Sequence, residues 1–336
     1  MKHFRYSLLF TAIALVSVSI WGFRQGGFMG FLTALLFTVI LIVMEVSLSF
    51  DNAVVNASIL KEWDEYWKKI FLTVGIFVAV FGMRLLFPIL IVSHTADLSM
   101  MEVWNLAFND PAKYSANLIK HHAEISAFGG MFLLLVFLSF LFDSDKEIHW
   151  LGTIEKKVSE WGQIEAISTL LALYTLVFVG GEDTRVLVAG IWGVMVYLSV
   201  HAMGVVLAHM NDDGAKGLSS IAKGSIGGFI YLEMLDASFS FDGVIGSFAI
   251  TNDIVVIMIG LGIGAMFVRS MTIYLVDRGT LDAYIYLEHG AHYAIGALAL
   301  IMIASSVGFH IPEVVTGLVG VSFIGASVYS SKKHKS

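Results

Sequence analysis

The chain has 336 residues, of which 57% are hydrophobic and 14% are charged, and its mean hydropathy is +0.81. Soluble domains average about 45–50% apolar and about 25% charged residues, so this composition argues against a soluble globular enzyme. The absence of cysteine excludes disulfides, Cys-ligated zinc and iron–sulfur clusters, and the net charge of −7 argues against a nucleic-acid partner.

Apolar runs of membrane length predict about ten transmembrane helices. They cover residues 7–23, 31–60, 70–93, 123–142, 164–181, 186–208, 226–250, 254–276, 290–308 and 311–330. The alternative for the first run is a cleaved signal peptide, but no clear small-x-small cleavage site follows it, so we expect an uncleaved helix. The predicted fold is an all-α, polytopic membrane helix bundle.

The lysines and arginines predict the orientation of this bundle. The two ends of the chain and alternate loops hold 14 of these residues, whereas the opposite side holds Arg24, Lys113, Lys120 and Arg185. Positive charge accumulates on the cytoplasmic side, so we expect cytoplasmic N- and C-termini.

Two connecting segments stand out. The loop 94–122 is long and polar and is expected on the outer side, whereas 143–163 is a charged cytoplasmic loop. We interpret 143–163 as a solvated connector. The alternatives are a short amphipathic helix on the membrane surface and a docking site for a partner protein.

The chain contains two copies of the pattern acid-x-Ser-x-Ser-Phe-Asp, which run from Glu45 to Asp51 and from Asp236 to Asp242. The helix after each copy carries one arginine, Arg84 or Arg269. Five predicted spans separate the copies, and because five is odd, the copies enter the membrane from opposite sides. This predicts a five-plus-five inverted repeat, with residues 1–181 and 182–336 as the two halves. Many secondary transporters have this architecture and bind substrate between the halves.

The few charges inside predicted spans suggest an ion site. They are Glu45, Asp51, Arg84, Glu233, Asp236, Asp242 and Arg269. Each would cost about 2.5–3.5 kcal/mol if it faced lipid, so these side chains must face one another or water. Five acids outnumber two bases, and a bound cation is the natural complement. For the arginines, buried ion pairs with Asp51 or Asp242 are the favoured interpretation.

Helical spacing brings further oxygen ligands to these acids. Ser49, Asn52 and Asn56 follow Glu45 along one face, and Ser240 follows Asp236. Carboxylate, amide and hydroxyl oxygens suit hard ions such as Mg²⁺, Ca²⁺ and Mn²⁺. Gly243 and Gly246 would let the second helix unwind and offer backbone carbonyls. Gly260, Gly262 and Gly264 lie in mid-span and predict close helix packing rather than a phosphate loop.

Histidines cluster at both predicted mouths of the bundle. The outer cluster is His121, His122 and Glu124, and the inner cluster is Glu288, His289 and His292. The clusters are equivalent in an inverted repeat, which suggests gates or entry ligands. Ordinary interfacial residues have the same pattern, and that is the interpretation we favour.

The Glu-x-x-x-Ser-x-Asp-Asn pattern that begins at Glu45, the Asp-rich second copy and the arginine after each copy resemble the TerC family, which is grouped with LysE-type transporters. The stretches His-His-Ala-Glu at 121–124 and Glu-His-Gly-Ala-His at 288–292 resemble its bacterial sister branch. The resemblance implies tellurium resistance or manganese export, and residence in the bacterial cytoplasmic (inner) membrane. By position it assigns Glu45, Asp51 and Asn52 to the first acidic motif, and Asp236 and Asp242 to the second.

These observations predict a membrane exporter of a divalent cation, most simply Mn²⁺, in exchange for protons. We expect Glu45, Asp51, Asn52, Asp236 and Asp242 to bind the ion. We expect Ser49, Asn56, Ser240, Glu233, Arg84 and Arg269 to support these ligands. Beyond this transported ion and the lipid bilayer, no tightly bound cofactor is expected, and a homo-oligomer or a stress-complex partner stays open.

Two other classes of function were weighed. The first is a non-transporting membrane component of a tellurium or metal stress-resistance assembly. The second is an intramembrane enzyme, but no Gly-x-Gly-Asp motif accompanies Asp51 or Asp242, and the histidines lie at opposite faces. We therefore do not expect an enzyme.

Overall fold

The structure is a computed structural model that describes residues 3–95, 98–164, 166–181, 183–210, 224–309 and 311–335. Every regular element in these ranges is helical, which confirms the all-α prediction. The α-helices are α1 (Arg5–Leu48), α2 (Phe50–Leu60), α3 (Glu65–Phe77), α4 (Phe87–Thr95), α5 (Met100–Asn109), α6 (Pro111–Lys120), α7 (His122–Leu141), α8 (Thr153–Ser159), α9 (Ile167–Gly180), α10 (Thr184–Met210), α11 (Ile226–Ile250), α12 (Ile254–Asp277), α13 (Thr280–Ala283), α14 (Leu287–Ser306) and α15 (Glu313–Lys335). A π-helix, Val78–Leu86, joins α3 to α4, and a 3₁₀ turn, Glu160–Gln163, follows α8.

Helix α1 is a hairpin of two arms rather than one straight rod. Gly26 and Gly27 leave the helical conformation, and Gly27 has φ +57°, which favours glycine. In a straight helix residues 22 and 34 would lie about 18 Å apart. Instead, a Cβ placed on Gly22 would lie 2.6 Å from the Cβ of Ala34. The first arm therefore corresponds to the predicted span 7–23, whereas the predicted span 31–60 is divided between the second arm and α2, which begins at Phe50.

Several described helices are long and apolar enough to cross a bilayer. There are six, or seven if a bent pair counts as one span. They are Arg5–Leu48, Glu65–Leu90, His122–Leu141, Thr184–Met203, Ile254–Asp277 and Leu287–Ser306, with Thr153–Gln163 and Ile167–Gly180 as the bent pair. They indicate an integral membrane protein in contact with lipid. The number ten stays a prediction, since α11, with three carboxylates, and α15 are outside this set.

The helices form two compact units, each of which takes segments from both proposed repeats. The first unit comprises Met1–Ala53, Lys69–His121 and Phe239–Tyr274. Within it α12 packs against both arms of α1. Ser7 Oγ donates to Met266 O at 2.9 Å, and Trp21 Nε1 donates to Asp253 Oδ2 at 2.8 Å. Since residue 7 meets 266 and residue 21 meets 253, α12 is antiparallel to the first arm.

The predicted outer loop 94–122 is largely helical. Ser99 and Glu102 cap α5 reciprocally, and the hydrogen bonds from Ser99 to the Glu102 carboxylate lower the pKa of that group. Asp110 caps α6, in which Pro111 occupies the first turn. Tyr114 is buried, with its ring centroid 6.0 Å from that of Phe248. This segment is therefore part of the folded first unit.

The second unit comprises Val54–Lys68, His122–Ser238 and Leu275–Ser336. Its centre is α7, which packs against α10 and α14. Glycines on α7 bring these helices together: a Cβ on Gly130 would lie 3.0 Å from Ile303, and Gly193 on α10 lies against the Phe128 carbonyl. Helix α9 packs against α7 and α10 and is joined to α10 by a short turn.

Candidate ion site

In the first unit the acid that opens the first motif is held in a buried ion pair. Glu45 lies near the end of α1 and is 1% exposed, and its Oε1 accepts a hydrogen bond from Arg84 Nη2. Arg84 Nη1 also donates to Ala79 O at 2.7 Å, and Ser49 Oγ lies 3.3 Å from Glu45 Oε1. Arg84 is therefore an ion-pair partner of Glu45, whereas its predicted pairing with Asp51 or Asp242 stays a prediction, because the Asp242 side chain lies outside the described residues.

The second copy of the motif reaches the same carboxylate within this unit. A Cβ on Gly243 would lie 3.2 Å from Glu45 Oε2, and a Cβ on Gly264 would lie 2.5 Å from Glu45 Cβ. Gly260 meets Leu41 one turn earlier, at 2.6 Å, and Gly262 meets Val80 at 3.1 Å. The predicted close packing at Gly260, Gly262 and Gly264 is confirmed. These missing side chains let α11 and α12 approach Glu45.

The first motif contains a break between two helices. Helix α1 ends at Leu48 and α2 begins at Phe50, with Ser49 at φ −103° and ψ 18° between them. Asp51 is therefore in the first turn of α2, where the partial positive charge of a helix N-terminus favours a carboxylate. Asn52 N donates to Asp51 Oδ1 at 3.0 Å, and both residues are buried.

The second motif lies on α11, which is helical from Ile226 to Ile250. The predicted unwinding at Gly243 and Gly246 is therefore wrong, because Gly243 serves for close approach to Glu45 rather than for backbone freedom. Asp236 and Glu233, in the second unit, are each 4% exposed. Asp242 is helical, but its side chain lies outside the described residues.

Arg269 on α12 is buried against α3, within the first unit. Its Nη1 donates to Phe71 O at 3.0 Å, and its guanidinium carbon lies 4.2 Å from the centroid of the Phe71 ring. A cation over an aromatic ring is favourable, especially where water is excluded. Each of the two arginines that follow the acidic motifs therefore donates to a backbone carbonyl, Ala79 for Arg84 and Phe71 for Arg269.

Further buried oxygen atoms lie on the helices of both motifs. In the described part of the chain, Asn56 Oδ1 and Ser240 Oγ are buried and make no hydrogen bond. Asn56 is in the second unit and Ser240 in the first. The residues that the structure describes contain no group of three or more His, Asp or Glu that could hold a metal ion. The Glu45 carboxylate has the Ser49 hydroxyl beside it, and carboxylate and hydroxyl oxygens suit hard cations.

The predicted outer gate residues do not share one environment. His121 follows α6 in the first unit and is buried, whereas His122 and Glu124 open α7 in the second unit. Ser126 Oγ lies 3.4 Å from the His122 ring nitrogens, and Glu124 Oε1 lies 3.6 Å from Arg185 Nη1.

The predicted inner gate residues join a buried network in the second unit. His289 Nε2 lies 2.8 Å from Ile148 O and 3.3 Å from Glu155 Oε1, and Glu155 Oε1 lies 2.7 Å from Lys146 Nζ. His292 Nδ1 lies 2.9 Å from Glu288 O, and the His292 ring stacks on Phe140 at 3.9 Å. These contacts tie the start of α14 to the segment 143–163.

Sequence reasoning missed the role of Glu155 in this network. We interpreted 143–163 as a solvated connector, but Glu155 is 1% exposed and Leu151 N donates to its Oε2 at 3.0 Å. Burial tends to raise the pKa of Glu155, but hydrogen bonds from His289, Lys146 and Leu151 outweigh that effect and lower it to about 2. The signal was present in the spacing of Glu155, Ser159 and Gly162, which share one helix face.

Comparison with known proteins gives one match. No curated protein and no solved structure matches the chain. Residues 50–335 match the family described as "Protein of unknown function (DUF475)". This range covers α2 to α15, so it includes the second acidic motif and the part of the first motif that follows Ser49. Because this match extends over most of the sequence, the chain belongs to the DUF475 family of proteins.

Proposed function

We propose that this protein is a secondary transporter that exports a divalent cation, most simply Mn²⁺, across the bacterial cytoplasmic membrane. The observation that carries the proposal is Glu45, a carboxylate buried in an apolar helix bundle, which Arg84 holds on one oxygen while Gly243 of the second motif approaches the other. Charges at this depth are costly and are commonly functional.

The neighbourhood of Glu45 supports a cation as the substrate. Ser49 Oγ lies 3.3 Å from Glu45 Oε1, and the first unit also contains the buried Ser240 hydroxyl and the buried Asp51 carboxylate. We propose that Glu45, Asp51, Asn52, Asp236 and Asp242 supply ligands, with Arg84 and Arg269 as positioning residues. The TerC family, which these motifs resemble, supports manganese as the first ion to test. Protonation of the same acids would couple export to proton entry.

The direct test is Mn²⁺ flux into proteoliposomes that contain a manganese-quenched dye. Asp51→Asn removes the charge but keeps an oxygen that can accept from Asn52 N. We expect flux to fall about tenfold or more, which corresponds to about 1.4 kcal/mol of lost ion stabilisation. The matched control is Asp282→Asn, which makes the same change at an exposed position and should transport like wild type.

The possible outcomes distinguish an error in the assigned site from an error in the proposed function. If Asp51→Asn and Asp242→Asn transport as fast as wild type, the assigned site is wrong. If wild-type protein moves no more Mn²⁺, Mg²⁺ or Ca²⁺ than empty liposomes, transport of these ions is wrong. That second result would favour the non-transporting component of a stress-resistance assembly.

A further inference from the structure

The segment 143–163, here called the strap, lies where three helices of the second unit begin or end. It starts directly after the C-terminus of α7 and finishes just before α9, and it contacts the first turn of α14 through His289. Helices α7 and α14 are apolar enough to cross a bilayer. Since membrane-crossing helices end near the membrane surface, the strap lies at that level.

One row of the strap faces the protein. Glu155 and Ser159 are 1% and 4% exposed and lie one turn apart on α8. Glu155 pairs with Lys146 and His289, and Ser159 Oγ lies 3.3 Å from His149 Nε2. Gly162 continues this row, and its Cα lies so close to the Phe142 carbonyl that no side chain would fit. The strap is therefore fixed against the helix ends.

A second row is apolar and exposed. Ile154 is 70% exposed and Trp161 is 58% exposed, and they are seven residues apart, so they share a face with Lys157. A third row, Lys156, Glu160 and Gln163, is polar and exposed. A surface helix in water needs two faces, one for the protein and one for water. Three distinct faces are typical of a helix at the junction of protein, water and lipid.

The direction of the strap also fits a membrane interface. The helical pair Thr153–Gln163 and Ile167–Gly180 is bent by 98°. Helix α9 packs beside α7 and α10 and exposes Leu170, Tyr174 and Phe178. If α9 runs across the bilayer with its neighbours, the strap helix runs along the membrane plane. The exposed apolar row of the strap then continues the lipid-facing surface of α9.

We propose that the strap is an interfacial helix that binds the surface of the bilayer. Ile154 and Trp161 enter the boundary between headgroups and acyl chains, where tryptophan is favoured. Lys157 lies at the edge of this row and extends its ammonium group to anionic headgroup phosphates. The Glu155 network fixes the opposite side of the helix to α14. This proposal does not depend on whether the protein transports an ion.

The chain contains no cysteine, so single cysteines can be labelled without removing others. We would label Ile154→Cys with an environment-sensitive fluorophore in nanodiscs of phosphatidylcholine and phosphatidylglycerol. The matched control is Glu160→Cys on the polar row of the same strap. We expect a spin-labelled lipid to quench most of the emission at 154 and iodide to quench little, with the reverse order at 160.

Two results would overturn the proposal. Iodide quenching at 154 equal to that at 160 would show that the apolar row faces water. Protection of 154 from iodide without quenching by the labelled lipid would show that a protein covers it instead. A further arm compares the label at 154 in neutral and anionic nanodiscs. If Lys157 contacts anionic headgroups, quenching of the label at 154 should differ between the two kinds of nanodisc, and Lys157→Gln should abolish that difference. Equal quenching in neutral and anionic nanodiscs, measured with Lys157 present, would overturn the headgroup contact.

Discussion

Glu45 and Arg84 illustrate what a buried charge requires in an apolar bundle. Both are nearly inaccessible to solvent, and the guanidinium donates to the carboxylate and to Ala79 O. Removing one member of a buried pair leaves an uncompensated charge, whereas removing both can be nearly neutral. The pair therefore stabilises the fold chiefly by neutralising the acid that the proposed site needs.

A double-mutant cycle tests this interpretation. Arg84→Gln should destabilise the protein by about 3–5 kcal/mol because Glu45 would be buried without its cation. Glu45→Gln combined with Arg84→Gln should recover much of that loss. Reversible unfolding in mild detergent would measure both effects. Additive losses in the double variant would contradict a direct coupling between the two side chains.

Gly264 and Gly260 form a matched pair for testing the surroundings of Glu45. Each lies on α12 against α1, but only Gly264 touches Glu45, whereas Gly260 touches Leu41. Gly264→Ala and Gly260→Ala should each cost about 1–3 kcal/mol through overcrowding, measured by unfolding in detergent.

The two alanine variants should differ in function. Gly264→Ala should also reduce Mn²⁺ flux, because the new methyl group displaces Glu45. Gly260→Ala should keep flux close to wild type once it is folded. Equal Mn²⁺ flux in both variants would show that displacing Glu45 does not affect transport.

At the scale of single elements, the sequence predicted the helices but not their irregularities. The predicted apolar runs 7–23 and 31–60 separate the two arms of α1, and the acid-x-Ser pattern locates the buried carboxylates. The π-helix Val78–Leu86, which carries Arg84, has no such signal in the sequence. π-Helical turns occur frequently at functional sites.

The break at Ser49 shows the same limit of sequence reasoning. Serine and phenylalanine do not force a helix to end, so the sequence carries no signal for a break between Leu48 and Phe50. Glycine was the better sequence signal for a break, and it pointed to Gly243 instead. There the structure uses the absent side chain for contact with Glu45.

The strap should be sensitive to acid through Glu155. The pKa of this group is lowered from 4.5 to about 2 in the folded protein. Its contribution to the free energy of unfolding is therefore complete above pH 4.5 and is lost as the pH falls toward 2. In detergent, pepsin should cleave the strap faster as the pH falls through this range. Glu155→Gln should lack this pH-dependent step, and an identical step in both proteins would assign it to other acids.

At the scale of the whole molecule, the proposed ten-span topology can be tested by labelling. With ten spans, Lys113 faces the outside and Lys332 faces the cytoplasm. An impermeant maleimide should label Lys113→Cys in intact cells but should label Lys332→Cys only after permeabilisation. Labelling of both positions from outside would contradict the odd number of spans, about seven, that the prediction places between them.

The order in which the segments of the first unit occur along the chain has a consequence for its synthesis in the cell. Its first two segments end at His121, and its third begins at Phe239, so residues 122–238 are made in between. At about 5–20 residues per second, that interval lasts roughly 6–24 s. During it Glu45 lacks the cover of α12, but Arg84 has already been made. Arg84 can therefore neutralise Glu45 in the nascent chain before α12, whose glycines complete the burial of Glu45, has been made.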